Sequence, residues 1–169
     1  SYRWFLSYGI FLNCRMSLSK TLSDHIHHVH FGGNWTVSNL EAVLSDVTVD
    51  EALKQVNDLN TIATLTYHIN YFVVAQISVL KGNDLKAKDS ESFDHPDFPN
   101  EESWRSFVSK CLEDGKRLSQ LVSTLSDDQL LDSFVDPKYG TYYRNLAGMV
   151  EHTHYHLGQI SLIKKLIRQ

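Results

Sequence analysis

Residues 59–80 read LNTIATLTYHINYFVVAQISVL. Twenty-odd residues pass without a turn signal, and Thr61, Leu65, His68, Phe72, Ala75 and Val79 recur at steps of four, three, four, three and four. That rhythm is the a/d seam of a bundle helix. The many β-branched side chains would also suit a strand, but a strand of this length is not expected and helix is the better reading. Gly82-Asn83 ends the segment. Its anomaly is His68, an imidazole in the middle of an apolar seam.

Working upstream, residues 17–30 form a second helical pattern, with Leu18, Leu22, Ile26 and Val29 spaced by four, four and three. Phe31-Gly32-Gly33-Asn34 stops it. Thr36 or Ser38 is expected to cap a short helix running through Leu44, and Thr48 with Glu51 forms a capping box for another. Working downstream, residues 83–100 (NDLKAKDSESFDHPDFPN) hold two of the three prolines. A loop this long inside one domain needs a reason. A crossover between two parallel helices supplies it, because a short loop joins only antiparallel neighbours. Asn100 followed by Glu101 and Glu102 reads as the cap and acidic first turn of a third long helix reaching about Leu125. Ser126 caps a short piece through Leu131, residues 136–140 (DPKYG) make a turn, and the last long helix starts near Tyr143. No alternating segment is long enough for a sheet. The expected fold is all-α, a four-helix bundle with a long crossover.

The chain has 169 residues, 42% hydrophobic and 21% charged, with 16 Lys+Arg against 20 Asp+Glu and a net charge of −4. This is the composition of one globular domain, expected over residues 16–169, with residues 1–15 (SYRWFLSYGIFLNCR) as an N-terminal extension. The mild acidity gives no general reason to bind nucleic acid or an anionic membrane. The apolar run at residues 4–12 is too short to span a bilayer. Two cysteines, Cys14 and Cys111, make no disulfide framework, which favours a reducing, cytoplasmic setting.

Nine histidines are the unusual feature. With His152 at 0° on a helical wheel, His156 falls at about 40°, Ile163 at about 20°, Ile160 at about 80° and Gln159 at about 340°, whereas His154 falls at about 200°. His152 and His156 thus share the core-facing stripe one turn apart, the H-x-x-x-H half of a metal site. Thr153 occupies the position where zinc proteases carry a glutamate, which argues against that chemistry. With His68 they make three inward imidazoles on two core helices, a three-coordinate set with open positions. Glu151, at about 260°, lies off the stripe, so no general base is visible. His25, His27, His28 and His30 are read as surface or rim histidines.

Thr66-Tyr67-His68-Ile69 in one helix and His152-x-x-Tyr155-His156-x-Gly158-Gln159-Ile160 in the last resemble the DinB-like superfamily of small bacterial metal-binding proteins. The resemblance extends through Phe31-Gly32-Gly33-Asn34-Trp35-Thr36, Lys138-Tyr139-Gly140-x-Tyr142-Tyr143-Arg144-Asn145 and Lys164-Lys165-Leu166. It implies a four-helix bundle, often a homodimer, and a divalent metal, commonly nickel or zinc, on His68, His152 and His156. Gln159 becomes a candidate to orient bound water or a ligand histidine. Characterised members of the family include transferases of low-molecular-weight thiols, and others carry a metal-dependent hydrolase label. The leading expectation is a transferase joining such a thiol to an electrophilic small molecule. Hydrolysis and a metal-binding module without turnover stay open. Apolar residues outside the core stripe of the last helix (Tyr155, Leu162, Leu166) point to a homodimer.

Overall fold

Side-chain caps set where each helix begins. A computed structural model of the chain describes residues 17–169; the expected extension lies outside them. Ser17 accepts from the Lys20 amide and starts α1 (Leu18–Phe31). Asn39 caps α2 (Leu40–Leu44), and Thr48 with Glu51 forms the expected capping box of α3 (Val49–Leu53). Thr61 caps α4 (Ile62–Leu80). Asn100 and Ser126 cap α5 (Glu101–Ser123) and α6 (Asp127–Leu131) with capping boxes of their own. Thr141 caps α7 (Tyr142–Ile167). Each such cap satisfies an amide that the helix cannot, at a worth of about 1 kcal/mol. Among the described residues the only β pairing is one isolated bridge, Ser133 to Thr141.

The cap of α2 differs from the expectation. Thr36 is engaged with the Asn34 side chain, and the Ser38 carbonyl accepts from the Asn34 amide at 2.6 Å. The chain is therefore still turning at both residues, and Asn39 is the first one free to cap.

Two apolar clusters fix the direction of the four long helices. One joins Val29 of α1, Ile62 and Leu65 of α4, Trp104 of α5 and Ile160 of α7. The other joins Leu22, Val73, Leu118 and Leu146 of the same four helices. Low numbers in α4 thus meet low numbers in α5 and high numbers in α7. Helices α4 and α5 run parallel, α1 and α7 run opposite to them, and the segment 81–100 must return along the bundle as the expected crossover. A half-buried hydrogen bond from Asn70 to Asp114 at 3.0 Å links the parallel pair.

The seam of α4 is rotated from the predicted one. Ile62, Leu65, Ile69, Val73 and Ile77 form its buried centre, while Phe72 and Ala75 are only half-buried. The histidines of α1 also divide. His25 and His27 are exposed as expected, but His30 is 1% exposed, its Nδ1 donating to the Ile26 carbonyl at 2.7 Å. It fits there because α5 carries Gly115 opposite, where a Cβ would come within 2.2 Å of the ring. Helix α7 is tied down at its far end, where Arg168 reaches Glu51 at 2.7 Å and Asp46 at 2.9 Å, and Lys164 reaches Asp46. Lys164 first, then Arg168, holds the Asp46 carboxyl down to about 2.

Candidate metal centre

His68 sits on the side of α4 that meets α7, and His152 and His156 answer it one turn apart in the middle of α7. All three rings converge. Centroids are 4.8 Å apart for His68 and His152, 4.8 Å for His68 and His156, and 4.5 Å for His152 and His156. Their donor nitrogens all lie within 4.8 Å of one another, with His152 Nε2 3.0 Å from His68 Nε2. One ion at about 2.0–2.1 Å from each nitrogen in tetrahedral geometry spans donor pairs of roughly 3.3 Å, so the set lies within side-chain motion of coordination.

The outer nitrogens show which lone pairs point inward. Ser92, buried on the crossover, gives its hydroxyl proton to the Asp89 carbonyl at 2.6 Å and therefore accepts from His68 Nδ1–H at 2.8 Å. His156 Nδ1–H donates to Gln159 Oε1 at 2.6 Å, with the amide oriented to suit. Both rings are thereby fixed in the tautomer whose Nε2 lone pair faces the centre. Two imidazole nitrogens 3.0 Å apart need a proton or a cation between them. His152 Nδ1 is buried without a partner, so the arrangement is not complete as a hydrogen-bonded network of its own. The donor set fits a divalent cation.

Burial, then His156 and His68, pushes His152 down to about 4. Burial and then His156 lower His68 as well, against a smaller opposing pull from Asp89. Without a cation His68 and His152 resist protonation, which keeps these two rings in the form that binds metal.

The triad opens onto a cavity of about 560 Å³ whose wall includes Phe72, Asp89, Arg144, Gly148, Glu151 and Tyr155. Phe93 stacks on His68 with centroids 4.0 Å apart, and Phe72 meets His68 and His152 edge-on. One apolar wall thus restricts water while the other side stays open. Two carboxylates, Asp89 and Glu151, also line this cavity, although neither stands on the inward stripe of a ligand helix. Asp89 comes from the crossover, and Glu151 reaches the cavity from the edge of α7.

The structure brings His68, His152 and His156 together with Gln159 beside His156, and His154 is turned away from the centre. Sequence reasoning missed Asp89, Ser92 and Phe93, which lie in a loop without periodicity, and Arg144, which reads as an ordinary first-turn residue. Among the described residues no helix is long and apolar enough to cross a membrane.

Fold and site define an all-α bundle with a histidine triad able to hold a metal ion, open to a cavity. The DinB superfamily model matches residues 33–160, and the chain belongs to that superfamily. No curated protein and no solved structure matches it.

Proposed function

We propose that the protein is a cytoplasmic metal-dependent transferase that joins a low-molecular-weight thiol to an electrophilic small molecule. The observation that carries this reading is a triad of imidazoles at the wall of an open cavity, with no fourth protein donor in the group among the described residues. Sites with three protein ligands and an open position are the catalytic pattern. Nickel or zinc is the expected ion, on His68, His152 and His156. When bound, a dication carrying no ligand charge favours an anion beside it and lowers the pKa of a thiol or a water there.

The chain's own residues do the rest. Ser92 and Gln159 hold two rings in the binding tautomer. Phe72 and Phe93 keep bulk water from one side of the rings. Asp89 and Glu151 line the cavity as acceptors for the thiol proton. The sulfur then forms its bond to the electrophilic carbon as the leaving group departs with the bonding pair. Those same carboxylates can serve a water, so hydrolysis is the second reading. Assembly as a homodimer is part of the proposal: Tyr155, Leu162 and Leu166 are 65%, 57% and 39% exposed along α7. Light scattering that finds a strict monomer at micromolar concentration refutes it.

The deciding experiment starts with metal analysis of protein purified without a histidine tag. It continues with conjugation of a chlorinated nitroarene to bacillithiol, glutathione and cysteine, with nickel, zinc or manganese added. Rates above those of the free metal are expected for at least one thiol. Full metal occupancy with no such rate removes the transferase reading and leaves hydrolysis or a non-catalytic role.

A further inference from the structure

We infer that Arg144 and Gly148 form a second subsite in the cavity, which binds the carboxylate-bearing tail of an extended, amino-acid-derived thiol. This inference rests on the thiol-transfer reading. Arg144, Gly148 and His152 stand at successive steps of four along α7 and all three line the cavity. Two helical turns separate the cation from the triad, roughly 12 Å along the axis. Midway between them Gly148 puts no side chain into the cavity, and Asn145, Met149 and Glu151 flank it on the wall. A Cβ at Gly148 would meet nothing within 4 Å, so neighbouring packing does not demand a glycine there. A glycine inside a helix costs about 1 kcal/mol against alanine. What its missing side chain leaves is floor for a ligand.

Arg144 is held in place. Its Nη1 donates to the Tyr139 carbonyl at 3.0 Å, and its Cδ lies against Gly140, where a Cβ would come to 2.9 Å. Gly140 has φ +77, so glycine is suited to that turn twice over. Among the described residues no carboxylate forms an ion pair with Arg144. The fork of a positioned guanidinium with free donors matches a carboxylate.

Two other features narrow the ligand. Gln76 Oε1 is buried without a partner and Gln76 lines the same cavity, which calls for an N–H donor. Asp89 and Glu151 add negative charge, so a polyanion such as a nucleotide is repelled while an ammonium group is welcome. A thiol bearing amide or ammonium N–H groups and a carboxylate several bonds from its sulfur satisfies all three. Cysteine is too short to touch the triad and Arg144 together.

The test is calorimetric binding of glutathione, glutathione diethyl ester, cysteine and 2-mercaptoethanol to the metal-loaded protein, with metal content measured in parallel. Glutathione is expected to bind at least ten-fold more tightly than its ester or cysteine. Arg144→Gln removes that preference, Arg144→Lys restores part of it, and 2-mercaptoethanol binding is unchanged throughout. Gly148→Leu, which fills open space on a helix, weakens glutathione by a similar factor with metal content intact. A glutathione Kd within two-fold of the parent in both Arg144→Gln and Gly148→Leu overturns the inference, as does an equal loss for 2-mercaptoethanol. If the parent binds every thiol alike, the inference falls and the transferase reading stands. If glutathione binding depends on Arg144 but no conjugation occurs, the inference stands and the transferase reading falls. If no thiol binds, both fall.

Discussion

Replacing Ser92 by alanine tests whether the crossover serves the metal site. Ser92 is fully buried and its Oγ is the acceptor for His68 Nδ1–H at 2.8 Å. Alanine leaves that N–H without a partner and frees the ring to change tautomer. Loss of such an orienting contact lowers metal affinity by about 10–100-fold, or roughly 1.4–2.7 kcal/mol. The metal-free fold loses the net worth of one hydrogen bond, about 1 kcal/mol. At free metal 100 times the parent Kd, the parent gains about 2.7 kcal/mol from binding, and a variant weakened ten-fold gains about 1.4 kcal/mol. Competition against a chromogenic zinc chelator gives the affinities, and urea unfolding with and without metal gives the stabilities. Gln159→Leu, acting on His156 through its own 2.6 Å contact, should show a loss of the same order. Exposed Ser90→Ala is the control. A Ser92→Ala affinity within two-fold of the parent refutes the claim that this hydrogen bond positions a ligand.

Three further outcomes follow from the packing. Gly115→Ala drives a Cβ into the buried His30 ring at 2.2 Å and should destabilise by about 1–3 kcal/mol, recovered in part by adding His30→Ala; urea midpoints decide. Gly158→Ala, exposed in α7 with nothing within 4 Å, should stabilise by about 0.5–1 kcal/mol, which thermal unfolding will show. Burial lowers His30 from its ordinary 6.5, so below that pH the unfolded chain takes up a proton that the folded chain refuses. Stability contributed by neutral His30 is therefore present above pH 6.5 and lost as pH falls, and His30→Leu should flatten that slope in unfolding measured between pH 7.5 and pH 5.

Helix starts were the most legible part of the fold, because a cap is local chemistry. Thr48, Asn100 and Ser126, read as caps, each bond an amide three residues ahead, whereas Thr61, read as part of the seam, is the cap of α4. The phase of α4 was harder to read. That helix is covered by α5, by α7 and by the crossover, so apolar residues occupy most of its circumference and several phases fit its pattern. His68 survives the misreading because it lies at the edge of the true stripe, toward α7. Among the α1 histidines the reading of His30 failed, for a different reason. Burying His30 depends on a glycine 85 positions away in sequence, and no helical wheel of α1 contains Gly115.

The metal site was half legible for a physical reason that runs through the bundle. Its inner donors obey helical phase, which the sequence displays. Its outer contacts on α4 come from residues 81–100, which have no phase to read. Yet this segment's route is imposed. Helix α4 has 19 residues and rises about 28 Å, and α5 begins again at the end where α4 began. The chain must therefore pass back along the bundle, beside the middle of α4 where His68 stands. A return path along that helix meets a desolvated imidazole whose Nδ1 needs an acceptor. A short side chain anchored in a 3-10 turn meets the need with little loss of rotamer freedom: Ser92 follows the turn at Asp89–Glu91 and borrows its first carbonyl. Phe93, the next residue, then covers the same ring. The parallel pairing of α4 and α5 thus brings the crossover past the site, and the crossover in turn fixes which nitrogen of His68 is offered to a metal.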